Sequence, residues 1–261
     1  MIGQKYLKRY VKTLIENGSF PRFSIFVGPK GSGRKRFLRE YFDGVYPEDN
    51  KVDSIRKLID MAYKVGFQTF IIPDADDMSN AAKNALLKVV EECPNDNRFI
   101  MTLEDEVNTL ETIRSRAQIF YMDMYFPKDL KDYADAIGIK DEEELKIVAD
   151  VCTTPGDVNT LCKHGIKDFY DFTKLVLENV ADVSLANALK IPDKLSLKDG
   201  DEGYDLRLFL KMFMSLCIAN QVNVRWVEYT SRCLTKLRIK GLNKQMLLDT
   251  WILSLRGLIT V

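Results

Sequence analysis

The sequence predicts an α/β domain built on a parallel sheet and followed by helical domains. Short apolar runs alternate with stretches of helical period up to residue 126. A glycine-rich turn, Gly28-Pro29-Lys30-Gly31-Ser32-Gly33, joins the first apolar run to a helical stretch. From Pro127 onward the patterning is mainly helical.

Each element has its own signal. Residues 4–17 place Leu7, Val11, Leu14 and Ile15 on one helix face, which Gly18 ends. Residues 23–27 read as a buried strand, and 34–42 as the helix after the turn. Residues 52–65 carry Val52, Ile55, Leu58, Ile59 and Ala62 at helical spacing, and 69–72 form a strand. The clearest helix is 79–92, with Ser79 as N-cap and Pro94 as its stop. Residues 99–103 and 117–122 read as strands around a short helix at 110–113. Beyond 127, breaks fall near Gly138, Pro155-Gly156, Gly165, 192–203 and Gly241, with 195–203 expected as a surface loop. The expected domains are 1–126 (α/β), 127–166 (small, helical) and 167–261 (helical).

Composition narrows the function classes. Hydrophobic residues make up 46% and charged residues 29%, so the chain is neither disordered nor membrane-like, and net charge +0 confines any nucleic-acid contact to a local patch. The cysteines, Cys93, Cys152, Cys162, Cys217 and Cys233, are scattered without a CxxC pair, and the single histidine, His164, has one cysteine near it. Reduced thiols in a cytoplasmic protein are expected, with no zinc module and no metal site. No signal-peptide or membrane-spanning run is present, so neither secretion nor membrane insertion is expected.

The glycine turn approximates a phosphate loop, GxxxxGK[ST], in which backbone N–H groups close on phosphate, a lysine neutralises charge and a hydroxyl binds Mg²⁺. Gly28, Gly31 and Gly33 supply the framework, but Arg34 stands at the lysine position and Lys35 at the hydroxyl position. A protonated lysine cannot ligate Mg²⁺. The plain alternative is a glycine turn before a helix with no ligand. The other half of such a site needs a strand ending in an aspartate for the metal and a glutamate for the attacking water. The strand through Ile72 ends instead in Pro73-Asp74. Asp76 and Asp77 lie beyond the strand end, where a helix N-terminus or the surface is expected. The spacing therefore predicts a degenerate phosphate loop (Gly28, Gly31, Gly33, Arg34, Lys35) with a degenerate acidic partner, Asp74.

The run Asp74-Ala75-Asp76-Asp77-Met78, followed by residues 80–92, resembles the DEADxM and AANALLKxLEEP hallmark of clamp-loader AAA+ subunits. Thr112-Ile113-Arg114-Ser115-Arg116-Ala117 resembles their TIRSRC motif, Ile2-Gly3-Gln4 their IIGQ opening, and Phe26-Val27-Gly28-Pro29 their LFxGP segment. The helix 52–58 resembles their I-x-x-IR-x-L pattern. The resemblance covers residues 2 to about 160 and is nearest to the delta-prime subunits of bacterial DNA polymerase III, phage-encoded versions included. It implies an AAA+ domain, a helical lid and a helical collar.

It further implies a hetero-oligomeric ring with sister ATPase subunits, a sliding clamp and primer–template DNA as partners. Arg116 would be an arginine finger completing a neighbour's ATP site, with Arg114 the competing candidate and pairing to a local carboxylate the plain alternative. Asn159, in Thr153-Thr154-Pro155-Gly156-Asp157-Val158-Asn159, replaces the arginine of the lid's GDxR motif. The motif's cysteine is Ala117, and no room exists for a zinc-binding insertion. The expectation is a non-hydrolysing subunit that requires no cofactor and binds ATP weakly or not at all. The rivals are an ATPase with an atypical site and a stand-alone DNA-binding adaptor. The basic stretch Lys30, Arg34, Lys35, Arg36 and Arg39 reads as a solvated helix face or as a residual phosphate or DNA-backbone contact, residues 208–216 as core, and 225–244 as charged surface.

Overall fold

A computed structural model describes residues 3–197, 202–237, 239 and 241–258, and the chain divides into two compact units, Met1–Tyr125 and Phe126–Val261. Ile2 of the opening motif, residues 198–201 of the expected loop, and Arg238 and Lys240 of the basic stretch lie outside the described residues.

The first unit runs α1 (Lys5–Glu16), β1 (Phe23–Val27), α2 (Arg34–Tyr41), α3 (Val52–Lys64), β2 (Thr69–Ile72), α4 (Asn80–Glu92), β3 (Arg98–Leu103), α5 (Glu111–Arg114) and β4 (Gln118–Tyr121). The strands are parallel in the order β2-β3-β1-β4, and Val45 adds a one-residue bridge to Phe70 at the edge. Continuous apolar strands suit a sheet covered on both faces. Phe23, Ile25 and Val27 pack with Ile55 and Leu58 of α3 and Leu86 of α4. Phe26 packs on the other face with Leu7 and Val11 of α1 and Phe37 of α2. Ser79 caps α4 as expected, its hydroxyl accepting from the Ala82 amide at 3.2 Å.

This order has a consequence for ligands. The chain leaves β1 for β2 on one side, returns to β3, then crosses β1 to reach β4. In doubly wound sheets the crevice at the carboxyl ends of the strands where the direction reverses is where ligands sit. Gly28 is the first residue after β1, so the glycine turn stands at that crevice.

The second unit comprises α6 (Pro127–Ala136), α7 (Glu142–Val151), α8 (Pro155–His164), α9 (Ile166–Asn179), α10 (Leu185–Ala188), β5 (Leu195–Ser196), β6 (Tyr204–Asp205), α11 (Leu206–Ala219), α12 (Val224–Lys236) and α13 (Lys244–Leu255). Side-chain caps open most of its long helices: Asp141, Thr154, Asp205, Asn223 and Asn243 each accept from backbone amides of α7, α8, α11, α12 and α13 respectively. Phe209, Met212 and Phe213 of α11 are fully buried, so the apolar stretch 208–216 is core. Trp251 of α13 packs edge-on against Phe213 at 4.8 Å and donates its indole N–H to Thr230 Oγ1 of α12 at 2.9 Å. Helix α11 also packs on α7, across the expected boundary at 166.

The expected loop 195–203 needs correction at its start. Leu195 is buried, and Leu195–Ser196 pairs with Tyr204–Asp205 in a short parallel ladder. An apolar residue at the edge of a polar run found core to cover it, which composition averaged over the run conceals.

Of the cysteines, Cys162 alone is exposed. Burial pushes the Cys217 thiol up to about 12 and that of Cys233 to about 11, so neither supplies appreciable thiolate at neutral pH. A thiol-reactive reagent is expected to modify one site, Cys162, in the native protein and all five in denaturant. More than one fast equivalent would contradict this packing.

Candidate nucleotide loop and interface arginine

The glycine turn has the backbone of a phosphate loop. Gly31 (φ 84°) and Gly33 (φ 89°) occupy the left-handed region that side chains disfavour. A Cβ on Gly28 would stand 2.6 Å from Met122 Cγ. The turn is also held from outside, because Tyr125 donates its hydroxyl to the Ser32 carbonyl at 2.8 Å. Gln4 fixes the segment leading to Tyr125: its side chain donates to the Asp123 carbonyl (2.8 Å) and accepts from the Asp123 amide (2.6 Å). Gly33→Ala is expected to destabilise this unit by about 1–2 kcal/mol in denaturant unfolding, the cost of a left-handed side-chain residue.

Two cations next to the loop, Arg34 and Lys35, are committed to Asp74. Arg34, only 6% exposed, places Nη2 3.2 Å from Asp74 Oδ1, and Lys35 places Nζ 2.5 Å from Oδ2. Asp74 sits just past β2 in a left-handed conformation (φ 48°). Its amide donates to Thr102 Oγ1 of β3 at 2.8 Å, and Asn50 donates to the carbonyls of Pro73 (2.9 Å) and Asp74 (3.0 Å). The structure therefore brings Arg34, Lys35 and Asp74 together in one cluster beside the glycines. Magnesium–nucleotide does not fit these residues: Lys35 is a cation where a metal ligand is needed, Pro73 has no carboxylate, and both Asp74 oxygens face cations. Among the described residues no group of three His, Cys, Asp or Glu side chains is placed to hold a metal ion.

Asp76 lies at the start of a short helix, one of its two expected places, but it is buried there rather than on the surface. In this 3-10 turn it accepts from the Glu104 amide (2.7 Å), the Asp105 amide (3.5 Å) and the Asn108 side chain (3.0 Å). The segment after β3 carries amides without strand partners, and Asp76 satisfies them. Lys83 of α4, also buried, donates to the Asn108 carbonyl and secures the same segment.

Arg116 lies at the other end of the sheet. It precedes β4, whose Gln118 is level with Ser24 of β1, whereas Gly28 follows the far end of β1. At about 3.3 Å per residue this places Arg116 and the glycine turn about 20 Å apart along the strands. Its Nη1 donates to the Thr112 carbonyl of α5 at 2.8 Å, and its Nε lies 3.5 Å from Glu91 Oε2, both side chains well exposed. Arg116 lines a polar cleft of about 450 Å³ with Arg22, Glu91, Glu92 and Ser115. Arg114 is half-buried in α5.

Sequence reasoning missed Thr102, Asn50 and Glu91. Thr102 was legible as the one polar residue late in an apolar strand. Nothing local marked Asn50 or Glu91. In the second unit Asn159 accepts from the Tyr133 hydroxyl at 3.0 Å.

Residues 11–125 match the family described as "DNA polymerase III, delta subunit". Among curated proteins, the chain is 34% identical over 126 residues to DNA polymerase III subunit gamma of Buchnera aphidicola subsp. Schizaphis graminum, covering 44% of this chain and 35% of that protein. It is 30% identical to replication factor C subunit 3 of Saccharomyces cerevisiae over 37% of this chain and 34% of that one. With DNA polymerase III subunit delta' of Yersinia pestis it shares 34% identity over 29% of this chain and 25% of that one. The chain thus spans between a quarter and about a third of the length of these relatives. A RuvB variant from Thermotoga maritima shares the fold at a TM-score of 0.52 and 16% identity, over 85% of this chain and 84% of that one. Residues 11–125, nearly the whole of the first unit, are thus similar to the DNA polymerase III delta-subunit family and carry a parallel α/β sheet with the glycine turn at its switch point.

Proposed function

We propose that this protein is a non-hydrolysing, delta-prime-like subunit of a clamp loader, which presents Arg116 to the ATP site of a neighbouring subunit. The observation that carries the reading is the placement of Arg116 at the end of the sheet opposite the glycine turn, about 20 Å from any ligand of this chain's own loop. A guanidinium so placed serves charge on another chain, where an arginine finger stabilises a transferring phosphoryl group. The exposed Glu91 pair holds it weakly, so a phosphate can displace the carboxylate. The chain's own loop supports the negative half of the reading, with Arg34 and Lys35 both spent on Asp74.

The relatives named for DNA polymerase III and replication factor C support the assembly this implies: a hetero-oligomer with sister ATPase subunits that loads a sliding clamp on primer–template DNA in the cytoplasm, or in the host cytoplasm for a phage-encoded protein. On this reading residues 127–166 form the lid, residues 167–261 the collar, and no nucleotide is required by this chain. No helix among the described residues is long and apolar enough to cross a membrane. The test is reconstitution with a companion ATPase subunit. Arg116→Ala is expected to suppress ATP hydrolysis by the assembly, and an unchanged rate would sink the assignment. ATP hydrolysis by the isolated chain, abolished by Arg34→Ala, would instead establish the rival ATPase with an atypical site.

A further inference from the structure

The glycine turn is shaped as an anion cradle, and the cations beside it, Arg34 and Lys35, are already paired within the chain. Its left-handed glycines, Gly31 and Gly33, lead into the N-terminus of the eight-residue α2, whose first amides lack helical acceptors. Two polar groups of the turn are buried without a hydrogen-bond partner among the described residues: Ser32 Oγ and Arg34 Nη1. Ser32 Oγ lies over Gly28, 3.0 Å from where a Cβ would stand, so it faces the interior of the turn. Buried donors are ordinarily satisfied, and two such groups in one turn mark a place for an acceptor. The Asp74 carboxylate reaches neither of these two groups; it meets Arg34 through Nη2 with one oxygen and Lys35 with the other, pairing the charge while leaving both hydrogen-bonding positions open. Asp74 is held there at a left-handed φ of 48° by Thr102 and Asn50.

We infer that Asp74 is an internal surrogate for phosphate, masking a site for a diphosphate-class anion that needs no divalent metal. Its carboxylate neutralises Arg34 and Lys35 and keeps the wild-type chain from taking up phosphate-bearing ligands. Lys35 stands where the loop pattern places the metal-binding hydroxyl, so the charge a metal would supply comes from a side chain. Without the carboxylate, Arg34 is a buried cation lacking a counter-ion and the loop gains both instability and anion affinity. A ligand that binds only the folded state then restores the stability that the substitution removed. The inference rests on the loop's descent from a nucleotide site but not on the role of Arg116.

The experiment is thermal unfolding of the full chain in EDTA, titrated with inorganic pyrophosphate against sodium chloride at matched ionic strength. Asp74→Asn is expected to melt roughly 5 °C below wild type and to recover most of that loss as pyrophosphate rises, while wild type moves by less than about 1 °C. Adding Arg34→Met to Asp74→Asn is expected to abolish the recovery. Asp74→Gly removes the carboxylate and relieves the left-handed backbone together, so it provides a folded variant should Asp74→Asn be too unstable. Calorimetry at 10 °C is expected to show it binding pyrophosphate at least tenfold more tightly than wild type. The inference is overturned by a pyrophosphate shift as large in wild type as in the variants, by no shift in the variants, or by equal recovery in sodium chloride. Arg116→Ala leaves these readings unchanged, so failure here leaves the interface arginine standing, and the reverse holds as well.

Discussion

Asp157→Ala is expected to destabilise the helical unit by about 3 kcal/mol, read as a fall in the denaturant midpoint at unchanged slope. Asp157, in the first turn of α8, is completely buried and lies among cations from another helix: Arg207 Nη2 of α11 approaches Oδ1 at 2.5 Å and Lys211 Nζ approaches Oδ2 at 3.0 Å. The Thr153 amide and hydroxyl donate to the same Oδ2 at 3.0 Å each, and Lys211 also donates to Thr153 Oγ1 at 2.7 Å. Removing one partner of a buried pair costs about 3–5 kcal/mol. The low end applies because the cations left behind are partly exposed and can turn to water. Asp157→Asn, which keeps the shape and the hydrogen bonds from Thr153, is expected to cost about half as much.

The same group sets a pH dependence. Burial works most strongly against charge on Asp157, but Arg207 and Lys211, followed by the Thr153 amide, outweigh it and hold the carboxyl below its ordinary value of 3.8. A depressed carboxyl contributes stability that is fully present above its unfolded value and is lost as pH falls towards the folded one. The wild-type helical unit is therefore expected to lose stability below about pH 4 more steeply than Asp157→Asn. Parallel acid-unfolding curves for the two would contradict the role given to this pair.

What could be read in the sequence and what could not divide along a physical line. Local chemistry was legible. The Ser79 cap, the Pro94 stop, the apolar strands and the glycine turn each act within a few residues, and each helix and strand predicted in the first unit lies within a residue or two of its expected place. Interactions across the fold were not. Asp76 sits among acidic residues and reads as surface because its donors, the amides after β3, are 28 and 29 residues away. The pairing of Arg34 with Asp74 joins positions 40 residues apart, although both residues were visible as departures from a pattern. The Asp157 network needs Arg207 and Lys211 on one face of a helix 50 residues downstream. An alternation of strands and helices predicts a parallel sheet, yet it does not order the strands; the order sets β4 beside β1, and the parallel register of that pair then separates the glycine turn from Arg116 along the strands.

That separation gives the functional prediction its size and its controls. In a reconstituted assembly, Arg116→Ala is expected to slow hydrolysis at the site completed by this chain by about a thousandfold, the lower end of what an arginine finger contributes. Arg116→Lys is not expected to rescue it, because a point charge on a flexible stem lacks the planar fork that spans two phosphate oxygens. The isolated chain is expected to unfold as wild type does, to within about 1 kcal/mol, since the pair with Glu91 is exposed. Glu91 then separates a finger from a local ion pair. If Arg116 served only to hold Glu91, Glu91→Gln and Arg116→Ala would have the same effect on the assembly. If Arg116 acts on a neighbour's phosphate, Glu91→Gln releases a competitor, and hydrolysis is expected to remain at the wild-type rate or rise while Arg116→Ala suppresses it. Equal loss in both variants would return Arg116 to the role of a surface ion pair.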